Sequence, residues 1–540
     1  MARRAHAYPQ VDPGAAGLVE GGVAAVGGRA SVREALALAR RRDALGVQTA
    51  AGLVLRDDLA RASRLGLDDL RAADLARPIP ITEARASEVV VRRHLAAGAV
   101  AVAVRERRRL VGLTLRRGPA APGLPLGARL AAALPAESRR ALDALAAVSP
   151  AAWLVGGVVR DVVRGAAIGR DLDVVVEGDG PAVAHALAAR LGGRALEHAR
   201  FRTATVEAGG VRVDVATART ERYEAPGALP RVIPSGIGED LGRRDFTVNA
   251  MAADLGSSDV ALLDPFGGRA DLVAHRLRVL HPLSFVEDPT RMFRAARYAA
   301  RLEMSIDRWT AAAQALALRL GPYPALSSAR LHAELELIAG DARPDVALRR
   351  LGAAGVFRLF AAEYRFTRRT AAILAALPDT LAWVRQGHLA VAGGELAALA
   401  VLADQAPAVR LAALRRLGIA GGPLAHVVRA AQGGDPLVGA ETPSARAARL
   451  RRLEPIELAW LWLSRPERRA ALGWWAGTGR GVRGQLRGDD VMALGVPRGP
   501  EVARVLAALR DARLDGGLRS RDDEIAYVRS HGAATTRKEG

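Results

Sequence analysis

The chain has 540 residues, 50% hydrophobic and 25% charged, so it can fill roughly two to four domain cores and is too apolar for wholesale disorder. It contains no cysteine, which excludes disulfides, thiolate chemistry and Cys-ligated zinc. Its net charge of +21 is carried by 78 basic residues, all arginine except Lys538, and favours a polyanionic partner such as nucleic acid.

Residues 1–20 contain Gly and Pro and are expected to form a flexible arm. The opening M-A-R-R-A-H-A-Y-P has no apolar signal core, and no apolar run approaches the ~18 residues of a membrane span. A cytoplasmic protein without membrane contact is therefore expected. Residues 21–120 hold a weak internal repeat. A-S-V-R-E-A-L-A-L-A (30–39) and G-V-Q-T-A-A-G-L-V-L-R-D-D-L (46–59) answer to A-S-E-V-V-V-R-R-H-L (86–95) and A-V-A-V-R-E-R-R-R-L-V-G-L-T-L-R-R (100–116). Each copy predicts an amphipathic helix, a strand, a turn and a second strand.

The Pro/Gly-rich stretch 118–127 marks a boundary, and 128–149 reads as one helix ending near Ser149-Pro150. Residues 128–270 are expected to be an α/β head, with strands at 153–155, 172–176, 204–206 and 211–216 in a mixed sheet backed by helices. Beyond about 270 the spacing turns helical, at Thr290–Leu302, Ala329–Ile338 and Val502–Leu509 for example. This predicts a helical neck (271–340) and a helical body and tail (341–540). The fold class is thus multidomain, α/β followed by all-α.

Four clusters carry chemistry. In W-L-V-G-G-V-V-R-D (153–161), a turn at Gly156 and Gly157 opens a helix, where backbone amides can approach phosphates and Arg160 can neutralise them. Asp171 and Asp173 follow on a Val-rich strand; at i and i+2 they face one side and suit a divalent cation such as Mg²⁺. Asp214, in V-R-V-D-V-A-T-A-R, is placed to join them from a neighbouring strand, or to pair with Arg212 or Arg219. In D-L-G-R-R-D-F-T-V-N-A-M-A (240–252), Asp245 and Asn249 would share a helix face, with Asn249 on a ribose or base edge and Arg244 on phosphate. In E-D-P-T-R-M-F-R-A-A-R-Y (287–298), Asp288 precedes Pro289 as a helix cap, and Arg291, Arg294 and Arg297 recur as a band able to contact a nucleotide.

These motifs, in this order, resemble class II tRNA nucleotidyltransferases and bacterial poly(A) polymerases over about 150–340, and S-S-A-R-L-H-A-E-L (327–335) resembles that family's neck. The resemblance implies that Asp171 and Asp173 bind Mg²⁺, and that Gly157, Arg160 and Arg244 contact the nucleotide. It further implies that Asp288 and Arg291 act as an amino-acid template for C or A, with Arg294 and Arg297 in support. The substrates would be ATP and/or CTP and the 3′ end of tRNA, held by the helical body. The segment 222–236 would be the flexible loop that switches the enzyme from C to A. The repeat at 21–120 resembles a tandem pair of CBS domains, which implies a homo-oligomerisation surface or an adenosine-nucleotide site. Leu55 and Leu115 stand at its nucleotide-binding Thr positions and Gly118 replaces one Asp, although Asp58 is retained, so a degenerate structural pair is expected. Poly(A) polymerase activity fits the same motifs; an inactive RNA-binding scaffold does not fit the intact Asp171/Asp173 pair.

Overall fold

The computed structural model describes residues 14–116, 124–198, 202–387 and 389–535. The chain divides into two compact units between Ser327 and Ser328, inside the segment expected to be the neck. Among the described residues no helix is long and apolar enough to cross a membrane.

The repeat at the start of unit 1 is visible as repeated topology. Strands β1 (Gly22–Ala25), β2 (Ala44–Thr49) and β3 (Gly52–Leu55) form one sheet around helices α1 (Val32–Arg41) and α2 (Arg56–Arg64). Strands β4 (Ile81–Glu83), β5 (Ala101–Glu106) and β6 (Arg109–Leu115) form the second, with helix α3 (Glu88–Ala96). In each sheet the first pair is parallel and the second antiparallel. Ser31 caps α1 in a reciprocal capping box with Glu34, and Ser87 caps α3, so both helices start where the repeat places its serine. The expected arm needs correcting at its end: Ala15–Leu18 form a 3₁₀ turn, and Ala15 is fully buried beside Val91, Val102 and Val104. Residues 1–13 of that arm, and 118–123 of the Pro/Gly-rich stretch, lie outside the described residues.

The single helix expected over 128–149 is two, α4 (Gly127–Ala133) and α5 (Ala136–Val148). Pro135 offers no N–H and forces Leu134 into an extended conformation, at ψ 140°. The head follows: β7 (Ala152–Val155), α6 (Gly157–Arg164), β8 (Asp171–Val176), α7 (Gly180–Leu191), β9 (Arg194–His198), β10 (Thr203–Ala208) and β11 (Val211–Thr217). After them come a ribbon of β12 (Arg219–Arg222) and β13 (Arg231–Pro234), helix α8 (Ile237–Gly242), and strands β14 (Ala252–Asp254) and β15 (Leu262–Leu263). The described strands build a seven-stranded mixed sheet, ordered β15-β14-β7-β8-β11-β10-β9, in which β8 and β11 are parallel. Along β8 exposed and buried residues alternate at first, so Leu172 and Val174 enter the core while Asp171 and Asp173 face out. Helices α5 and α7 cover the core side. Each fully buried Leu or Val contributes roughly 1.5–3 kcal/mol, and Leu172→Ala would cost about 2–5 kcal/mol.

Unit 1 closes with α9 (Gly268–Val273), α10 (Ser284–Glu287), α11 (Thr290–Arg301) and α12 (Arg308–Leu320). Among the described residues the regular elements of unit 2 are all helical, as expected from 341 onward. Its central helix, Gly393–Leu402, buries Leu396 to Leu402 without interruption. Gly394 donates its N–H to Glu336 on helix Ser328–Gly340, and a Cβ at Gly394 would come within 2.7 Å of that carboxylate. Trp383 and Trp462 stack at 4.3 Å, and the last helices enclose a core of Leu486, Val491, Leu509 and Val528.

Candidate active site

The site begins with a turn only glycine accommodates. Gly156 has φ +72°, and a Cβ there would stand 3.4 Å from Nη1 of Arg244 and 3.6 Å from Oδ2 of Asp173. The turn, the carboxylate and the guanidinium therefore meet at one mouth. The strand register adds to it: Asp173 lies beside Asp214 and Asp171 beside Arg212 across the parallel β8–β11 pair. The cleft is about 470 Å³ and is lined by Asp173, Asp214, Thr205, Arg212, Arg243 and Arg244 among others.

The Asp173 carboxyl is held above the usual range: partial desolvation raises it, Arg244 opposes, and the carboxylates of Asp214 and Asp171 raise it further. A cation there would relieve that repulsion, and an oxygen-only donor set suits a hard divalent ion. Asp214 accepts from Thr205 Oγ1 at 2.5 Å and lies 3.5 Å from Arg212 Nε, so the pairing with Arg212 is present. Among the described residues no group of three or more carboxylate or histidine side chains already converges as a metal cage. Asp171, Asp173 and Asp214 present carboxylate oxygens on neighbouring strands, donors of the kind a hard divalent ion takes.

Behind the mouth runs a buried network that the sequence does not announce. Arg160 is only 3% exposed; it does not face solvent but lies beneath the turn, where Nε and Nη2 hold Asp161 and Nη1 donates to Asn249 Oδ1 at 2.8 Å. Asn249 Nδ2 then donates to Asp245 Oδ1 at 3.0 Å, and Arg294 Nε donates to Asp245 Oδ2 at 2.8 Å. The expected shared helix face is corrected here. Asp245 and Asn249 do meet, but through a 3₁₀ turn, Thr247–Asn249, and the Asn249 amide is hydrogen-bonded at both ends within the protein. Burial pushes the Asp245 carboxyl up, but Arg294, the Asn249 hydrogen bond and Arg291 together hold it below the usual range.

Tyr298 and Asp240, which no motif singles out, also pack into this network. The guanidinium carbons of Arg160, Arg294 and Arg301 lie 5.6, 5.6 and 5.2 Å from the Tyr298 ring centre, and Phe246 packs edge-on to it at 5.8 Å. Asp240 is fully buried and accepts from Arg243 Nη2 at 2.7 Å and Arg244 Nη2 at 2.9 Å. Its spacing of three and four residues before two arginines is a signal that could have found it.

The expected arginine band on α11 fans out. Arg291 is 5% exposed and donates to Ser284 Oγ at 2.9 Å, to the Arg243 carbonyl at 2.9 Å and to Tyr223 OH at 3.4 Å. Arg294 turns to Asp245, and Arg297 is half-buried further along. Asp288 closes a turn into the helix start, one residue ahead of Pro289 at the N-cap: its Oδ1 accepts from Thr290 N at 3.0 Å and Thr290 Oγ1 at 2.7 Å. The segment expected as a flexible loop, 222–236, contains the second strand of the β12–β13 ribbon, and Gly227 N donates to Val286 O at 3.1 Å.

Comparison with known proteins accounts for this arrangement. The family described as poly A polymerase head domain matches residues 152–278. The CC-adding tRNA nucleotidyltransferase of Deinococcus radiodurans is 35% identical over 70% of this chain and 88% of its own length. The chain belongs to the class II tRNA nucleotidyltransferase family. The A-adding tRNA nucleotidyltransferase of Geobacter sulfurreducens is 34% identical over 69% of this chain and 44% of its own length. The chain spans less than half the length of such A-adding relatives. A solved CCA-adding enzyme in an apo form aligns with a TM-score of 0.65 at 25% identity, covering 76% of this chain and all of that one. The mixed-sheet head is thus the nucleotidyltransferase head of this family, with the class II motifs lining its mouth.

Proposed function

We propose that the chain is a template-independent nucleotidyltransferase that adds AMP and/or CMP, from ATP or CTP, to the 3′ end of tRNA. The observation that carries this reading is the meeting of Asp173, its strand neighbour Asp214, the Gly156 turn and Arg244 at one mouth. The names of the A-adding and CC-adding relatives support tRNA as the acceptor, and the excess positive charge favours it. A cytoplasmic location agrees with that substrate.

In the reaction the terminal 3′-oxygen attacks the α-phosphorus, the bond from that phosphorus to the bridging oxygen breaks, and pyrophosphate leaves. Asp171 and Asp173 would hold Mg²⁺, which when bound neutralises the triphosphate and favours the ionised 3′-oxygen. Amides of the Gly156-Gly157 turn can approach the phosphates because no Cβ intervenes, while Arg244, braced by Asp240, offers Nη1 to the same space. Arg160 acts from below, holding the turn against Asn249. Base reading falls to Asp288 and Arg291. Arg291 is held beside that position by its contacts with Tyr223 and the Arg243 carbonyl, and could exchange one of them for the base edge.

The test supplies tRNA ending in the discriminator base, in C or in CC, offers ATP and CTP separately, and sizes the products. Addition of single nucleotides up to CCA supports the reading. A long adenylate tail on any RNA would make it a poly(A) polymerase, and no incorporation would reject transfer.

A further inference from the structure

Glu287 closes helix α10 directly ahead of Asp288, and only 4% of it is exposed. Its Oε1 accepts from Nη1 of Arg61 at 2.7 Å, and its Oε2 lies 3.3 Å from Nε2 of His281. Arg61 is not part of the head; it sits on α2, in the first copy of the N-terminal repeat. At the other end of α10, Ser284 Oγ accepts from Arg291 Nη1. One helical turn of four residues therefore joins the N-terminal module to both base-reading candidates, to Asp288 by a peptide bond and to Arg291 by a hydrogen bond.

The module is fastened to this region at several points. Arg77 holds the buried Asp58 and donates Nη1 to the carbonyl of Leu280 at 2.8 Å, and Trp309 Nε1 donates to Ala76 O at 3.0 Å. Gly98 and Gly267 approach so closely that a Cβ on Gly98 would stand 2.5 Å from the Gly267 Cα. Asp58, the one retained candidate for a nucleotide ligand in the repeat, is thus consumed by a structural ion pair.

We propose that Arg61 is a positioning residue for base selection: through Glu287 it fixes α10, and so fixes where the Asp288 carboxylate and the Arg291 guanidinium stand relative to an incoming base. The proposal rests on the nucleotide-transfer reading above. Its physical content is that, among the described residues, Arg61 is the arginine that donates a direct hydrogen bond to Glu287, while Arg291 acts on the same carboxylate from farther off. Burial pushes the His281 imidazole down to about 4, so near neutrality it is uncharged and cannot replace Arg61. Without Arg61 the buried carboxylate loses its direct guanidinium partner, and its shift toward water or toward Arg291 displaces Asp288, the next residue in the chain.

The experiment measures kcat and KM for ATP and for CTP separately, on full-length Arg61→Ala, Arg61→Lys and Glu287→Gln proteins with tRNA ending in CC. Arg61→Ala should lower kcat/KM for the preferred nucleotide by about 10- to 100-fold and contract the ATP-to-CTP ratio, with tRNA affinity retained. Arg61→Lys should recover most of the ratio. Glu287→Gln, nearly isosteric, should contract it like Arg61→Ala and serves if that variant does not fold. Arg40→Ala, an exposed residue on α1, should leave both constants unchanged. An unchanged ratio, or equal losses for ATP and CTP, in a wild-type-competent preparation overturns the proposal alone. Absence of any transfer by the wild type overturns the underlying reading, and this proposal with it.

Discussion

Arg160 and Asn249 lie 89 residues apart in the chain, yet Nη1 of the first donates to Oδ1 of the second at 2.8 Å inside the head. Asn249 passes the connection on to Asp245, and Asp245 to Arg294. The amide is well chosen for the place: it accepts from a cation with one end and donates to an anion with the other. A carboxylate or an ammonium could do only half of this.

Replacing Asn249 with Ala should therefore leave Arg160 and Asp245 each short of a buried partner. The expected loss is about 2–3 kcal/mol of unit 1 stability by denaturant unfolding. Nucleotide incorporation should fall as well. Asn249→Asp should be no better, since it sets a second carboxylate against Asp245. A variant as stable as wild type would remove the network from the account.

Gly156→Ala tests the mouth. The added Cβ meets a positive φ and stands within van der Waals range of Arg244 and Asp173. Strain should cost about 1–2 kcal/mol, and KM for the nucleotide should rise more than kcat falls. Equal KM values would mean that the turn does not receive phosphate.

Asp171→Ala and Asp173→Ala should each abolish incorporation, by at least about 1000-fold, while tRNA binding measured by filter retention stays intact. Retained incorporation in either single variant would sink the cation assignment. Thr205→Val is expected to be milder, because Asp214 keeps its contact with Arg212.

The pH dependence of stability follows from Asp240 and Asp245, both of which their arginines hold below the usual carboxylate range despite burial. A group with a depressed folded pKa contributes stability above its unfolded value, near 4, and loses it as pH falls through the folded value. Unfolding free energy should therefore fall steeply below about pH 4, and Asp245→Asn should flatten that slope. The same substitution should cost about 3 kcal/mol at neutral pH, because Arg294 loses its buried counter-charge. An unchanged slope in the variant would contradict this.

Much of this protein could be read along the chain, because the relevant signals are local. The β8 strand shows its Val-rich run and its i, i+2 aspartates in six residues, the Gly-Gly turn explains its own backbone, and the repeat in 21–120 repeats in the fold. Local signals failed where a neighbour in space decided. Pro135 splits the helix of 128–149 because its ring excludes the helical conformation at Leu134. The 222–236 segment gained a strand only because 219–222 lay ready to pair with it. Arg160 and Asn249 stand out in their motifs, but not as partners of each other, since a side chain's partner 89 residues away leaves no trace in spacing. The link from Arg61 to Glu287 spans 226 residues and crosses from one module to another. The sequence by itself determined that two aspartates share one strand face close behind a glycine turn. Only the tertiary structure decided which of the many arginines are buried against carboxylates, because burial, not composition, sets what an unpaired charge costs.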